Sequence, residues 1–286
     1  MPSLKPVRAS PPQAPERPRL ELSGPKLASA FEALAVGAEE TGGVERYVDA
    51  LKLKSALFAE TLGKGKGGDL QPGEFRALCS WMATVRRRIG PYVEPQAFER
   101  MRERLAALLD GAERTTTADG RLDAFCEGFP DDRGHRWVRD LAAEVLHNVD
   151  PERYPLMSRW LWDAQTNTGV LREIWHSEDI DRLTIEVPAR YETFVVLREE
   201  LAQFLAGHGV YRDVIFFVDL LAAQVYAGYI NEQGGSYLRA DFANAEEPMM
   251  HVRRLLGLDG VTRDGRMRVK ATDGTAIVVD ETKRLN

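Results

Sequence analysis

From Pro25 onward apolar residues recur at helical spacing, first Leu27, Phe31, Leu34 and Ala35, then Val44, Tyr47, Val48, Leu51, Leu57 and Phe58. A period near 3.6 residues predicts helices with one face turned to a core. The pattern breaks at Gly63-Lys64-Gly65-Lys66-Gly67-Gly68, which no strand precedes and which we read as a connector. It resumes over 73–89 and is stopped by Gly90-Pro91, so that Arg86, Arg87 and Arg88 would sit in a last helical turn and complement its dipole. Another helix is predicted over 95–109, with Glu99, Arg100, Arg102, Glu103 and Arg104 facing water, while 115–120 and 128–132 read as loops.

The most apolar helices are expected at 191–206 and 212–230, parted by Gly207-His208-Gly209, and would form the central hairpin of a bundle. Before them, 183–187 alternates and meets Pro188, as a short strand or an extended linker does. A last helix is expected over 248–256. Beyond it Met267, Val269 and Ala271 alternate with Arg268 and Lys270, and Ile277-Val278-Val279 answers across Asp273-Gly274, the signature of a β-hairpin. At the other end, residues 1–24 hold six of the fifteen prolines together with Lys5, Arg8, Arg17 and Arg19, too little apolar surface to offset the entropy of ordering. The expected fold is therefore mainly α: a disordered tail over 1–24, a multi-helix bundle over 25–258 and a small C-terminal β-hairpin over 259–286.

Composition narrows the function classes. With 286 residues, 44% hydrophobic and 29% charged, the chain has the balance of a globular protein. The apolar run at 212–230 contains Asp219 and Gln224, which favours a core helix over a span, and no membrane partner is expected. A net charge of −6 offers no general attraction to nucleic acid. Only a local basic set, Arg253, Arg254, Arg263, Arg266, Arg268 and Lys270, keeps nucleic-acid binding as a third reading. Two cysteines, Cys79 and Cys126, sit among apolar neighbours, so we expect reduced thiols and a cytoplasmic setting.

Candidate chemistry concentrates in 134–176, which carries four of the five tryptophans and three of the five histidines. Two Glu-x-x-His pairs, Glu144–His147 and Glu173–His176, each put an oxygen and a nitrogen on one helical face. The set is similar to the ligands of ferritin-like carboxylate proteins and defines one alternative, a metal-dependent oxidoreductase or metal carrier holding iron or another transition metal. Against it, Glu144 would be a solvent-facing helix charge, His147 a C-terminal cap and His176 the end of its own helix. No cofactor is favoured on that view, and no motif decides whether the chain is an enzyme.

Tyr154, Trp160, Trp162 and Trp175, with Arg159 and Arg172, have the composition of an interface hot spot. Trp160 and Trp162 would point about 200° apart on a helix, one into the core and one outward. The favoured function is thus a non-catalytic accessory or adaptor protein that binds another protein, or a second copy of itself, through 154–175 or the C-terminal hairpin.

Overall fold

The computed structural model describes residues 17–237, 249–259, 267–270 and 276–279. Among them are ten α-helices: α1 (Gly24–Glu39), α2 (Glu45–Leu62), α3 (Pro72–Ser80), α4 (Pro95–Leu109), α5 (Ala118–Cys126), α6 (Trp137–Val149), α7 (Val170–Glu173), α8 (Tyr191–Gly207), α9 (Val214–Tyr237) and α10 (Met250–Leu255). The chain is mainly α, as its periodicity predicts.

Helix α9 is the axis. By length and composition its stretch Val214–Asn231 could cross a membrane. In this fold no residue from Val214 to Ile230 is exposed, and the helix packs on α1, α2, α7, α8 and α10. A helix apolar on every side suits a position covered on every side. Its buried carboxylate Asp219 is matched by His147 of α6.

Three boundaries differ from the periodicity. The helix expected over 73–89 ends at Ser80, and 81–89 continues irregularly, mostly as turns, and still buries Met82, Val85 and Ile89. A close backbone approach sets that end. Gly257, at φ +73°, lies so near the Trp81 carbonyl that an added Cβ would sit 1.7 Å from its oxygen. Arg86 then grips Asp259 through both terminal nitrogens (2.8 and 2.5 Å) instead of serving a helix dipole.

The loop expected over 115–120 is a 3-10 turn, Thr115–Thr117, running into α5, whose Ala118, Leu122 and Phe125 are buried at helical spacing. The expected tail over 1–24 also stops early. Residues 17–23 run along the body: Ser23 N donates to Ile174 O (2.7 Å), His176 N donates to Glu21 O (2.7 Å), and Arg17 pairs with Glu192 and Glu199 of α8. Residues 1–16 lie outside the described residues.

Candidate functional site

Helix α6 places Asp140, Glu144 and His147 on one face, at steps of four and three residues. All three are buried, at 2%, 3% and 6% exposure. Charges taken from water need partners, and three different elements supply them. Asp140 accepts from the Arg159 backbone N–H (3.1 Å) and its Nη2 (2.8 Å). Glu144 accepts from Lys54 Nζ of α2 at 2.8 Å, and the same ammonium reaches Leu256 O at 3.1 Å, tying in the end of α10.

His147 bridges Asp219 Oδ2 of α9 through Nε2 (3.0 Å) and Tyr154 O through Nδ1 (2.9 Å). A carbonyl and an ionised carboxylate only accept, so both bonds are satisfied when the ring is an imidazolium donating from both nitrogens. Burial alone would push this imidazole down. The Asp219 charge and hydrogen bond, helped by the Tyr154 carbonyl, outweigh it and hold the ring above its ordinary value. For Glu144 burial prevails, and its carboxyl is raised despite Lys54. The Cys79 thiol is also held well up by burial, with the Glu144 charge adding to it. The void inside this cluster is about 10 Å³, no larger than roughly one water.

The large cavity lies at the other end of α6. It is a half-open cleft of about 720 Å³ between the loop after α5, the turn at 159–165 and the segment 188–190. That volume falls in the ordinary range for ligand pockets, roughly 300–1,000 Å³. Hydrogen bonds fix its walls. Arg190 pairs with Asp123 at 2.5 Å. Arg139 Nη2 donates to Ala189 O at 2.8 Å, Arg159 is held by Asp140 as above, and Trp162 Nε1 donates to Val187 O at 2.8 Å.

Asp132 caps the turn through Gly134 N (2.7 Å) and meets His135 Nδ1 at 2.9 Å, which holds its carboxyl below the usual carboxylate range. What remains without an ion-pair partner among the described residues is Glu127, Asp131 and Asp163, against Arg136. The cleft therefore presents fixed arginines, of which Arg139 and Arg190 share Asp123 and Arg159 is matched by Asp140, and a residual acidic rim. Cys126 also lines it, but burial pushes that thiol up, which keeps it protonated and a poor nucleophile.

The two Glu-x-x-His pairs are not brought together. Glu144 and His147 line the small void, with both ring nitrogens of His147 committed to protein acceptors. Glu173 ends α7, where its carbonyl accepts from Lys26 Nζ (2.7 Å), and His176 is exposed just beyond. Among the described residues no three His, Cys, Asp or Glu side chains are grouped to hold a metal ion. The expectation that Glu144 faces solvent is corrected too: Lys54 and Asp219 arrive from α2 and α9, whose approach to α6 no local spacing reveals.

The aromatic set is also placed differently from the expectation. Tyr154, Trp160 and Trp162 are buried, at 1%, 8% and 1% exposure. Residues 155–163 are not helical, so the opposed directions expected for Trp160 and Trp162 do not apply and both rings enter the core. Trp160 packs on Tyr226 of α9 with ring centroids 5.9 Å apart. Trp175 is half-buried and its backbone bridges Leu22. Arg159 is engaged by Asp140, and Arg172 by the carbonyls of Ile180 (2.7 Å) and Leu183 (2.9 Å). These residues hold the chain together and leave no aromatic surface at 154–162.

Of the basic set, Arg254 is exposed and Arg253 half-buried; Arg263 and Arg266, and the side chains of Arg268 and Lys270, lie outside the described residues. Sequence reasoning singled out Glu144 and His147 but missed Asp140, although its place one turn before Glu144 was a readable signal. Asp123, Arg139 and Arg190 carry no local signal, since the cleft assembles them across the fold. Compared with known proteins, the chain matches no family model, no curated protein and no solved structure.

Proposed function

We propose that this chain is a non-catalytic, cytoplasmic accessory protein that binds another protein, and that the cleft at the start of α6 receives a segment of that partner. One observation carries the reading: among the described residues, the cleft-wall arginines Arg139, Arg159 and Arg190 are engaged by Asp123, Asp140 or a backbone carbonyl, while Glu127, Asp131 and Asp163 remain on its rim. Such a site offers shape and a net acidic edge to a polypeptide rather than an activated nucleophile to a substrate. We further read Met267–Lys270 and Ala276–Val279 as the two strands of a hairpin, on their antiparallel register of Met267 with Val279, and give it a secondary role in the same association; the rest of 260–286 lies outside the described residues.

Photo-crosslinking tests this. A benzoylphenylalanine placed at Gln165, exposed in the cleft wall, should capture a discrete partner. The same probe at Val36, exposed on α1, should not. Capture of the same bands from both positions, or from neither, would reject the cleft as the binding surface.

A further inference from the structure

Residues 183–187 lead directly into the cleft wall at Pro188, and their backbone is held at Leu183, by Asn167 and Arg172, at Ile185 and at Val187. Ile185 N donates to Asn167 Oδ1 (3.1 Å), while Leu183 O accepts from Asn167 Nδ2 (3.0 Å). Val187 O accepts from Trp162 Nε1. The Asn167 side-chain amide thus fills the place a neighbouring strand would take. Ile185 is buried, at 5% exposure, between exposed Thr184 and Glu186.

In an extended chain the N–H and C=O of successive residues point to opposite sides. Leu183 O, Ile185 N and Val187 O face Asn167 and Trp162, which turns the groups of Thr184 and Glu186 the other way. No hydrogen bond reaches these outward groups among the described residues. An edge of this kind is a template for one more strand.

We propose that the Thr184–Glu186 edge accepts an extended, basic segment of the partner protein, which pairs as an added strand and continues into the cleft. Backbone pairing supplies affinity independent of side chains, and the flanking charge selects the occupant. Glu178 and Glu186 are exposed beside the edge in sequence and Glu127, Asp131 and Asp163 line the cleft, against Arg136 in the cleft and Arg172 on the Leu183 carbonyl. Arg139 and Arg190 share Asp123, and Arg182 is paired with Asp179 at 3.5 Å. A lysine- or arginine-bearing strand meets that rim, and an acidic one is repelled.

This inference rests on the cleft reading above, and the test separates the two. A random heptapeptide library is panned on the purified full chain, and the selected peptides are titrated by fluorescence anisotropy. Selection should favour Lys or Arg alternating with β-branched residues. N-methylation of alternate peptide amides should weaken binding about tenfold, as loss of one or two hydrogen bonds implies. Thr184→Pro removes an outward N–H and should weaken it similarly; Leu183, at φ −82° and ψ 131°, already has the backbone a following proline requires.

Binding indifferent to N-methylation and to Thr184→Pro, yet lost in Glu127→Lys/Asp131→Lys, would overturn the strand edge and leave the cleft reading standing. Selection of acidic peptides, or of none, would overturn both.

Discussion

At the residue scale the buried polar groups of α6 give the sharpest predictions. Lys54 and Glu144 are 3% and 4% exposed and 2.8 Å apart, and removing one leaves the other as an uncompensated buried charge. Lys54→Met should cost about 3–5 kcal/mol, whereas Lys54→Met with Glu144→Leu should recover most of it. Urea denaturation of the three proteins measures this, and equal losses in single and double variants would contradict the pairing. His147 gives a pH signature. Its folded value lies above its ordinary value of 6.5. Its stabilising contribution is therefore complete below about pH 6.5 and is lost as pH climbs through the folded value. Glu144, also raised, acts in the same direction at lower pH. Unfolding free energies from pH 6 to 9 should fall more steeply for the native chain than for Asp219→Asn, in which the imidazole has lost its carboxylate. Parallel curves would mean that His147 is not charged in the folded protein.

Among the elements, the helices read well from sequence are α1, α2, α4 and α8, whose apolar residues keep a helical period, and α9, whose long apolar run needs no period to mark it as a core helix. Their burial follows from the local sequence alone. The misjudged ends depend on contacts made far along the chain. Nothing between 73 and 89 announces that α3 must stop at Ser80, because its constraint is Gly257 lying against the Trp81 carbonyl. The candidate site divides the same way. Glu144 and His147 stand out as a spaced pair, but their partners Lys54 and Asp219, and the Asp123–Arg190 brace of the cleft, meet only after α2, α5, α8 and α9 have packed. Two glycines separate local from distant constraint. Gly120→Ala, in the exposed first turn of α5 with nothing within 4 Å of the new methyl, should stabilise by about 0.5–1 kcal/mol. Gly257→Ala combines a positive φ with a collision against backbone and should cost several times that, of order 2–4 kcal/mol. Thermal melts of the two variants should therefore move in opposite directions; a neutral Gly257→Ala would remove our reason for the early end of α3.

For the molecule as a whole, Trp162 joins what the other elements hold apart. Its ring is 1% exposed, and its indole N–H donates to Val187 O at the point where the extended segment turns into the cleft wall. The core of the turn at 159–163 and the outer edge at 183–190 are thus coupled through one side chain. Trp162→Ala removes both the packing and the bond and should cost about 3–5 kcal/mol. Trp162→Phe keeps most of the apolar contact but leaves a part-buried carbonyl without its donor, a loss of about 1 kcal/mol. The two variants should also differ from other core truncations in where they loosen the chain. Amide exchange should accelerate at 184–190 in Trp162→Phe, whereas a truncation confined to the α1–α9 contact, such as Leu34→Ala, should leave those amides as slow, relative to global unfolding, as in the native protein. A surface anchor would behave in the opposite way, since trimming it weakens association and leaves the urea midpoint where it was. An unchanged midpoint for Trp162→Ala would therefore put the indole back on the surface and return the interaction site to 154–175.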